Sequence, residues 1–190
     1  MLKELVKNNR SHREFAADVA ISKEMLTEWV SHANLCPAAM NLQTLKYKIV
    51  CDKEGVAALM PLTRWASNLD KKLPPEGHGP AAFVVICHDE DIAPQKPIFM
   101  IDAGICAQTI MLSATEAGFG GCIIGSAAPT EVKKQLSLPE NLVPVILLGL
   151  GKPEDNVVLT TPIDGSVKYY RDQNNVHYVP KRPLEDIIVN

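Results

Sequence analysis

The stretch "DAGICAQTIMLSATEAGFGGCIIG", residues 102–125, predicts a helix that ends at glycine and leads into a strand. The helical pattern begins near residue 98 and runs to about residue 117. Gly118 suits the position after the last helical turn, where a left-handed backbone costs glycine little. Small alanine and glycine residues along the helix indicate close packing against a sheet or a second helix. One side of the helix carries Ile101, Ile105, Gln108 and Leu112.

Three other segments have strand patterns. "AAFVVICHD" (81–89) and "VPVILLGLG" (143–151) are continuous apolar runs bounded by polar or glycine residues, which favours buried strands. "KYKIVCD" (46–52) alternates between apolar and polar residues, as a half-buried strand does. Helical patterns cover residues 2–8, 53–60 and 128–138, and a further helix runs from the N-cap Ser22 to about residue 35.

The resulting order is strand, helix, strand, long helix, strand, helix, strand. This order predicts an α+β fold, or a mixed α/β sandwich, in which helices cover a small sheet. Residues 1–190 show no repeat or linker and are expected to form a single domain. Residues 61–80 are rich in Pro, Gly and Lys and predict a mobile, lid-sized loop with a helical turn at "RWASNLDKK". Residues 160–190 predict a polar, extended C-terminal arm.

The composition of the chain indicates which binding partners and which cellular compartment to expect. The formal net charge of −3 provides no basic surface, so nucleic acid is not expected to bind. The first ten residues carry charges from the third onward, unlike a signal peptide, and the apolar runs are too short for a bilayer. Five cysteines without a CxxC pair are typical of reduced thiols, which predicts a cytoplasmic protein. Because the apolar runs are short, no membrane partner is expected.

Several familiar sites are excluded by their context. In "GFGGCIIG" the glycines follow a helix and precede a strand, the reverse of the order in a dinucleotide-binding fold. The histidines and cysteines lack metal-ligand spacing, so no metal is predicted. Cys36 lies at a helix end, where the partial negative charge disfavours a thiolate nucleophile.

The segment "NNRSHREF" (8–15) brings two arginines and a hydroxyl together just after a helix. Arg10, Ser11 and Arg13 form a set that could hold a phosphate group. The same arginines could instead complement the dipole at the C-terminal end of that helix.

The junction "LCPAAMNLQTLKYKIV" (35–50) joins a helix to a strand through small and polar residues. Pro37 ends the helix. Asn41 and Gln43 are compatible with ordinary turn chemistry. They are equally compatible with a flat ligand that lies against the junction.

Four segments in register resemble the nitroreductase family of FMN-dependent oxidoreductases. They are "RSHREF", "CPAAMNLQ", "DAGICAQTIMLSATEAGFGGCIIG" and "VPVILLGLGKPED", followed by a tail, "VKYYRD" and "HYVPKR", like that of small single-domain members. The resemblance covers nearly the whole chain. It implies a nitroreductase-like fold, an intertwined homodimer and two FMN sites lined by both subunits, with the C-terminal arm reaching the partner.

The resemblance also implies roles for individual residues. Arg10 and Ser11 would bind the FMN phosphate, and Arg13 would bind the phosphate side or the pyrimidine edge of the ring. Arg171, with Lys168, would complete the anion site from the tail. Asn41 would hydrogen-bond ring or ribityl atoms, and Ile124 and Gly125 would present backbone near N5. A slot for the partner's flavin would be formed by Pro37, Ala38 and Ala39.

The implied reaction is a ping-pong transfer in which NAD(P)H passes hydride to flavin N5 and a small acceptor, such as a nitroaromatic or a quinone, then takes the electrons. No side chain is assigned as a catalytic acid or base, because the flavin carries the chemistry. Two alternatives remain: another reaction on the same fold, such as dehalogenation or flavin fragmentation, and a flavin-binding storage or sensor protein. Asn9, Ala38 and Thr44 depart from the family pattern, which leaves the acceptor undefined.

Overall fold

The computed structural model describes residues 1–66, 69 and 71–189. Its centre is a four-stranded antiparallel sheet with the strand order β1-β2-β4-β3. The strands are β1 (Leu45–Val50), β2 (Ala82–Asp89), β3 (Gly120–Ile124) and β4 (Leu142–Gly151). All four strands predicted for this part of the chain are confirmed.

In the described part of the chain, five helices accompany this sheet: α1 (Leu2–Asn8), α2 (Lys23–Asn34), α3 (Lys53–Leu59), α4 (Pro97–Glu116) and α5 (Pro129–Gln135). Short 3-10 turns occupy Ala39–Asn41, Met60–Leu62 and Leu184–Asp186. The Ser22 side chain accepts a hydrogen bond from the Met25 N–H at 3.2 Å, which confirms the predicted N-cap of α2. The predicted α+β fold is confirmed.

The two faces of the sheet are covered by different helices. Alternate residues of β2 point to opposite faces, so Val84 and Ile86 pack with α2 and α4 while Phe83 and Val85 pack on the other side. That second core includes Leu59 at the end of α3 and Val132 of α5. Because both faces are buried, all eight residues of β2 are buried, as its unbroken apolar run predicts.

Helix α4 buries one face and exposes another. The buried face consists of Phe99, Asp102, Ala103, Cys106, Ala107, Ile110, Met111 and Ala114. By contrast, Ile98, Ile101 and Ile105 remain 44%, 58% and 36% exposed. We call these three residues the α4 stripe. The helix is long and apolar enough to cross a membrane by length and composition, a test that the core helix of a globular domain also passes.

The C-terminal segment folds back on its own chain. Strands β5 (Val157–Thr160), β6 (Tyr170–Arg171) and β7 (His177–Pro180) form a second sheet with the order β5-β7-β6. His177 and Pro180 are buried. This corrects the expectation that the whole segment after residue 160 is an extended arm. The sequence of this segment is polar, and its strands of two to four residues are too short to give a recognisable strand pattern. That the segment 160–190 reaches a second copy remains a prediction.

The segment between α3 and β2 packs against the core at several points. The Trp65 indole N–H donates to the Thr63 hydroxyl at 2.8 Å, and its ring lies edge-on to Phe15 at 6.4 Å between centroids. Leu73 and Pro74 are buried. The helical turn predicted at residues 64–72 falls in part on residues 67, 68 and 70, which lie outside the described residues. A role for this segment as a lid remains a prediction.

Candidate active site

The loop that carries the two predicted phosphate-binding arginines lies against β3. We call residues 10–13 the arginine loop. Ser11 forms a bridge with Gly121, and the His12 N–H donates to the Gly121 carbonyl at 2.8 Å. The Arg10 guanidinium turns back to donate to the Val6 carbonyl at 2.7 Å, at the C-terminal end of α1. This contact matches the helix-dipole interpretation, although it uses only part of the guanidinium.

Arg13 lines an open cavity of about 300 Å³ beside the end of β3. The other lining residues are Arg64, Trp65, Ala66, Cys122, Ile123, Ile124, Gly125, Ser126 and Tyr169. The structure therefore brings together three of the predicted site residues, Arg13, Ile124 and Gly125. No acidic side chain lines this cavity among the residues that the structure describes. We call it the Arg13 cavity.

The Arg13 guanidinium is held by neutral partners. It donates from Nη1 to the Ser11 carbonyl at 3.2 Å and lies 3.4 Å from Nε2 of His177. Its central carbon is 5.4 Å from the centroid of the Tyr169 ring. Within residues 1–66, 69 and 71–189 no carboxylate forms an ion pair with Arg13. Its positive charge is therefore left for a ligand in the cavity.

Arg171 lies apart from this arrangement. Its guanidinium, with only 8% of the side chain exposed, pairs with the carboxylates of Glu14 and Asp155 and also donates to Asn175. These contacts favour a structural role that ties β6 to Glu14, which follows the arginine loop, and to Asp155. The predicted phosphate contact of Arg171 remains a prediction. Lys168 is exposed and lines a different cavity of about 780 Å³, which shares Tyr169 with the Arg13 cavity.

Burial, together with the charges of Arg13 and Arg171, lowers the pKa of His177 to about 4. Its ring is therefore neutral at neutral pH, and Nε2 can accept from Arg13. Because Nε2 is the acceptor, the ring proton lies on Nδ1, which is buried without a hydrogen-bond partner among the described residues.

The free energy of unfolding is expected to fall as the pH drops from about 6.5 to about 4. In that window the unfolded chain binds a proton at His177 that the folded chain does not bind. The contribution of His177 to the free energy of unfolding is therefore fully present above pH 6.5, and below it the free energy declines by up to about 1.4 kcal/mol per pH unit. Urea unfolding at a series of pH values measures this slope. His177→Gln should flatten it. An equal slope in wild type and His177→Gln would contradict the assignment.

The predicted flavin slot lies at the end of α2. Residues 39–41 form a 3-10 turn, and Met40, Asn41 and Gln43 have φ values of 52°, 52° and 50°. The Ala39 N–H is held by both carboxylate oxygens of Asp102, at 3.0 and 3.1 Å. Asp102 comes from α4, so the long helix fixes the shape of the slot.

The slot and the Arg13 cavity have no lining residue in common. Pro37 and Ala38 line a separate cavity of about 190 Å³ together with Asp102 and Tyr47, and Asn41 is exposed. Within one chain the predicted site residues that line cavities therefore fall into three groups, since Lys168 and Arg171 line the larger cavity of about 780 Å³. That the slot serves the flavin of a second copy remains a prediction.

Some site residues were not found by the sequence analysis. Trp65 and Tyr169 line the Arg13 cavity, and Asp102 and Asp155 hold the two loops. A tryptophan in a segment otherwise rich in Pro, Gly and Lys was an available signal. The two aspartates gave none, because their partners are distant in the chain.

The cysteines are all free thiols. Burial raises the pKa of Cys87 to about 12 and also raises the pKa values of Cys106 and Cys122. Among the described residues, no group of three or more His, Cys, Asp or Glu side chains could hold a metal ion.

A model of the nitroreductase family matches residues 6–152 of this chain. The chain belongs to the nitroreductase family. The match includes the arginine loop, the slot and the β3 backbone of the Arg13 cavity. It ends before Asp155, Tyr169 and Arg171.

Relatives and solved structures of the family agree with this assignment. YdgI of Bacillus subtilis, whose name assigns it provisionally as an NAD(P)H nitroreductase, is 26% identical over 184 residues, covering 80% of this chain and 88% of its own length. A nitroreductase family protein of Clostridium difficile 630 has a TM-score of 0.67 at 24% identity, covering 98% of this chain and 95% of that one. An FMN-dependent nitroreductase of C. difficile R20291 has a TM-score of 0.64 at 23% identity, covering 80% and 87%.

Proposed function

We propose that this protein is a cytoplasmic FMN-dependent oxidoreductase that passes electrons from NAD(P)H to a small acceptor by a ping-pong mechanism. Its family consists of oxidoreductases, and relatives bear names that refer to NAD(P)H and FMN. The observation that carries the proposal is the Arg13 cavity, where an arginine without a carboxylate partner among the described residues faces the glycine-containing end of β3.

The polar groups of the site fit the cofactor. The Nε atoms of Arg10 and Arg13 are both buried and lack a hydrogen-bond partner within the described part of the chain. Buried donors of this kind are costly unless a ligand or water satisfies them, and an anionic cofactor would do so. A Cβ placed on Gly125 would meet no atom within 4 Å, so this part of the wall is open to a flat ring.

The residues can be assigned to parts of FMN. Arg10 and Ser11 would bind the phosphate. Arg13, which lies beside Ile124 and Gly125, would bind the pyrimidine edge, where a positive charge stabilises the reduced ring. When bound, FMN supplies a reversible hydride acceptor at N5. Trp65, Tyr169 and the β3 backbone, which line the cavity, would hold and orient the ring.

A second copy of the chain would complete the site. The Arg13 cavity, at about 300 Å³, lies at the lower end of the range for ligand pockets. The slot at Pro37, Ala38, Ala39 and Asn41 would close it from the partner. The exposed α4 stripe supports this assembly, because three isoleucine side chains on one helix are left uncovered in a single chain.

Replacing Ile101 and Ile105 by Asp should convert the dimer to a monomer. Each aspartate would put a charge into an apolar interface, and the desolvation cost would favour separation. Analytical ultracentrifugation measures the dimer content, and absorbance measures the FMN retained, which should fall with it. Ile92→Asp, at a residue 40% exposed outside α4, is the control and should stay dimeric. A dimeric double variant would refute the interface.

Steady-state kinetics tests the function itself. The purified protein should be yellow with heat-releasable FMN, and initial rates with NADH or NADPH and a quinone should give parallel double-reciprocal lines. Parallel lines are expected because one open face serves both substrates in turn. Intersecting lines would indicate a ternary complex and contradict the ping-pong order. A flavin-loaded protein that does not oxidise NADH or NADPH would contradict the enzymatic function.

A further inference from the structure

Asp155 lies directly behind the arginine loop, three residues beyond the segment that matches the family. Its side chain is fully enclosed and accepts hydrogen bonds from three groups. The His12 Nδ1–H donates at 2.7 Å, the Arg13 backbone N–H at 3.0 Å and the Arg171 guanidinium at 3.4 Å. Two of these donors belong to the arginine loop itself.

The opposite side of the arginine loop is held by β3. The His12 N–H donates to the Gly121 carbonyl, and Ser11 bridges to the same residue. The loop is therefore held between the backbone of β3 and the carboxylate of Asp155. Rotation of the loop about its own axis would break contacts on both sides, so its backbone has one favoured orientation.

Asp155 binds the backbone of Arg13 and not its guanidinium, which leaves the positive charge of Arg13 unpaired by this carboxylate. The carboxylate accepts from the backbone N–H, while the guanidinium extends away to Ser11 and His177. Asp155 therefore orients Arg13 without neutralising it. Its own charge is balanced by Arg171. Burial opposes ionisation of Asp155, but the hydrogen bonds from His12 and from the Arg13 backbone, with the nearby positive charges, outweigh burial and hold its pKa below the usual range.

We propose that Asp155 is a positioning residue for the cofactor site, which fixes the backbone of the arginine loop so that the Arg13 guanidinium faces the cavity with its charge available. This inference rests on the proposed function, since FMN is the ligand that Arg13 would meet. A different role is a purely structural link between the C-terminal sheet and the loop. The two roles differ in whether the effect of Asp155 on FMN passes through Arg13.

A double-mutant cycle on FMN affinity separates them. Fluorescence titration gives the FMN Kd of wild type, Asp155→Asn, Arg13→Ala and the double variant. Asp155→Asn should raise the Kd by about 10–100-fold, by analogy with the range seen when a residue that orients a metal ligand is changed. In the Arg13→Ala background the same substitution should change the Kd by no more than about twofold. Equal factors in both backgrounds, or an unchanged Kd, would overturn the proposal.

Asp172→Asn provides the matched control. Asp172 accepts from the backbone N–H groups of Asn174 and Val176 in the C-terminal sheet, and none of its described contacts reaches the arginine loop. This variant should lower the melting temperature while leaving the FMN Kd at the wild-type value. If Asp172→Asn weakens FMN binding as much as Asp155→Asn does, both substitutions act by loosening the C-terminal sheet, and Asp155 is not a positioning residue.

A second variant covers the case in which Asp155→Asn does not fold. His12→Gln removes the ring donor but leaves the Arg13 and Arg171 contacts of Asp155 in place. It should raise the FMN Kd severalfold in the wild-type background and leave it unchanged in the Arg13→Ala background. An unchanged Kd in both would overturn the proposal. Failure of the wild-type protein to bind FMN would instead refute the proposed function.

Discussion

Purified protein in which Arg10 and Arg13 are both replaced by alanine is expected to be colourless. Each arginine would make a charge-assisted hydrogen bond to FMN worth about 1.5–3 kcal/mol, so losing both should raise the Kd by roughly two to four orders of magnitude. Fluorescence titration of apoprotein with FMN measures the change. The expectation rests on the buried, unpartnered Nε atoms of both residues within the described structure.

A matched control variant removes two positive charges at sites outside the Arg13 cavity. Lys23 and Lys53 are exposed and lie in the first turns of α2 and α3, away from the Arg13 cavity. Their double alanine variant should bind FMN with the wild-type Kd. Equal weakening in both double variants would point to the overall charge of the protein. A fully yellow Arg10 and Arg13 variant would show that the arginine loop does not bind the cofactor.

Arg171→Met is expected to destabilise the flavin-free protein by about 3–5 kcal/mol. The substitution would leave the carboxylates of Glu14 and Asp155, which are 12% and 0% exposed, without their shared cation. Urea unfolding of the apoprotein measures the loss. The loss should lie at the lower end of this range, because Lys71, 3.8 Å from Glu14, and His12, 2.7 Å from Asp155, remain as partners of the two carboxylates.

Lys168→Met is the control for this second prediction, because Lys168 is exposed in the same C-terminal segment and forms no ion pair among the described residues. Its stability should match wild type. If Arg171→Met keeps full apoprotein stability but weakens FMN binding, then Arg171 is a phosphate ligand, as the family resemblance implies, and its ion pairs contribute little.

Local patterns were sufficient for the central sheet and its helices. The buried strand β2 was predicted from a continuous apolar run, and α2 from an N-cap followed by a 3.6-residue apolar repeat. These signals are reliable because each depends on residues close together in the chain. The second sheet was missed, since β6 is two residues long and its pairing with β7 depends on contacts that no local pattern records.

Motifs in sequence order indicated the family, and three predicted residues, Arg13, Ile124 and Gly125, do line one cavity. The amino-acid sequence alone determined the sheet, the helices around it and the segments that carry the site, because hydrophobic periodicity and capping act within a few residues. The tertiary structure decided which charges remain available to a ligand. Arg13 keeps its charge while Arg171 is paired with Glu14, 157 residues away, and such pairing depends on distances that exist only after the chain has folded.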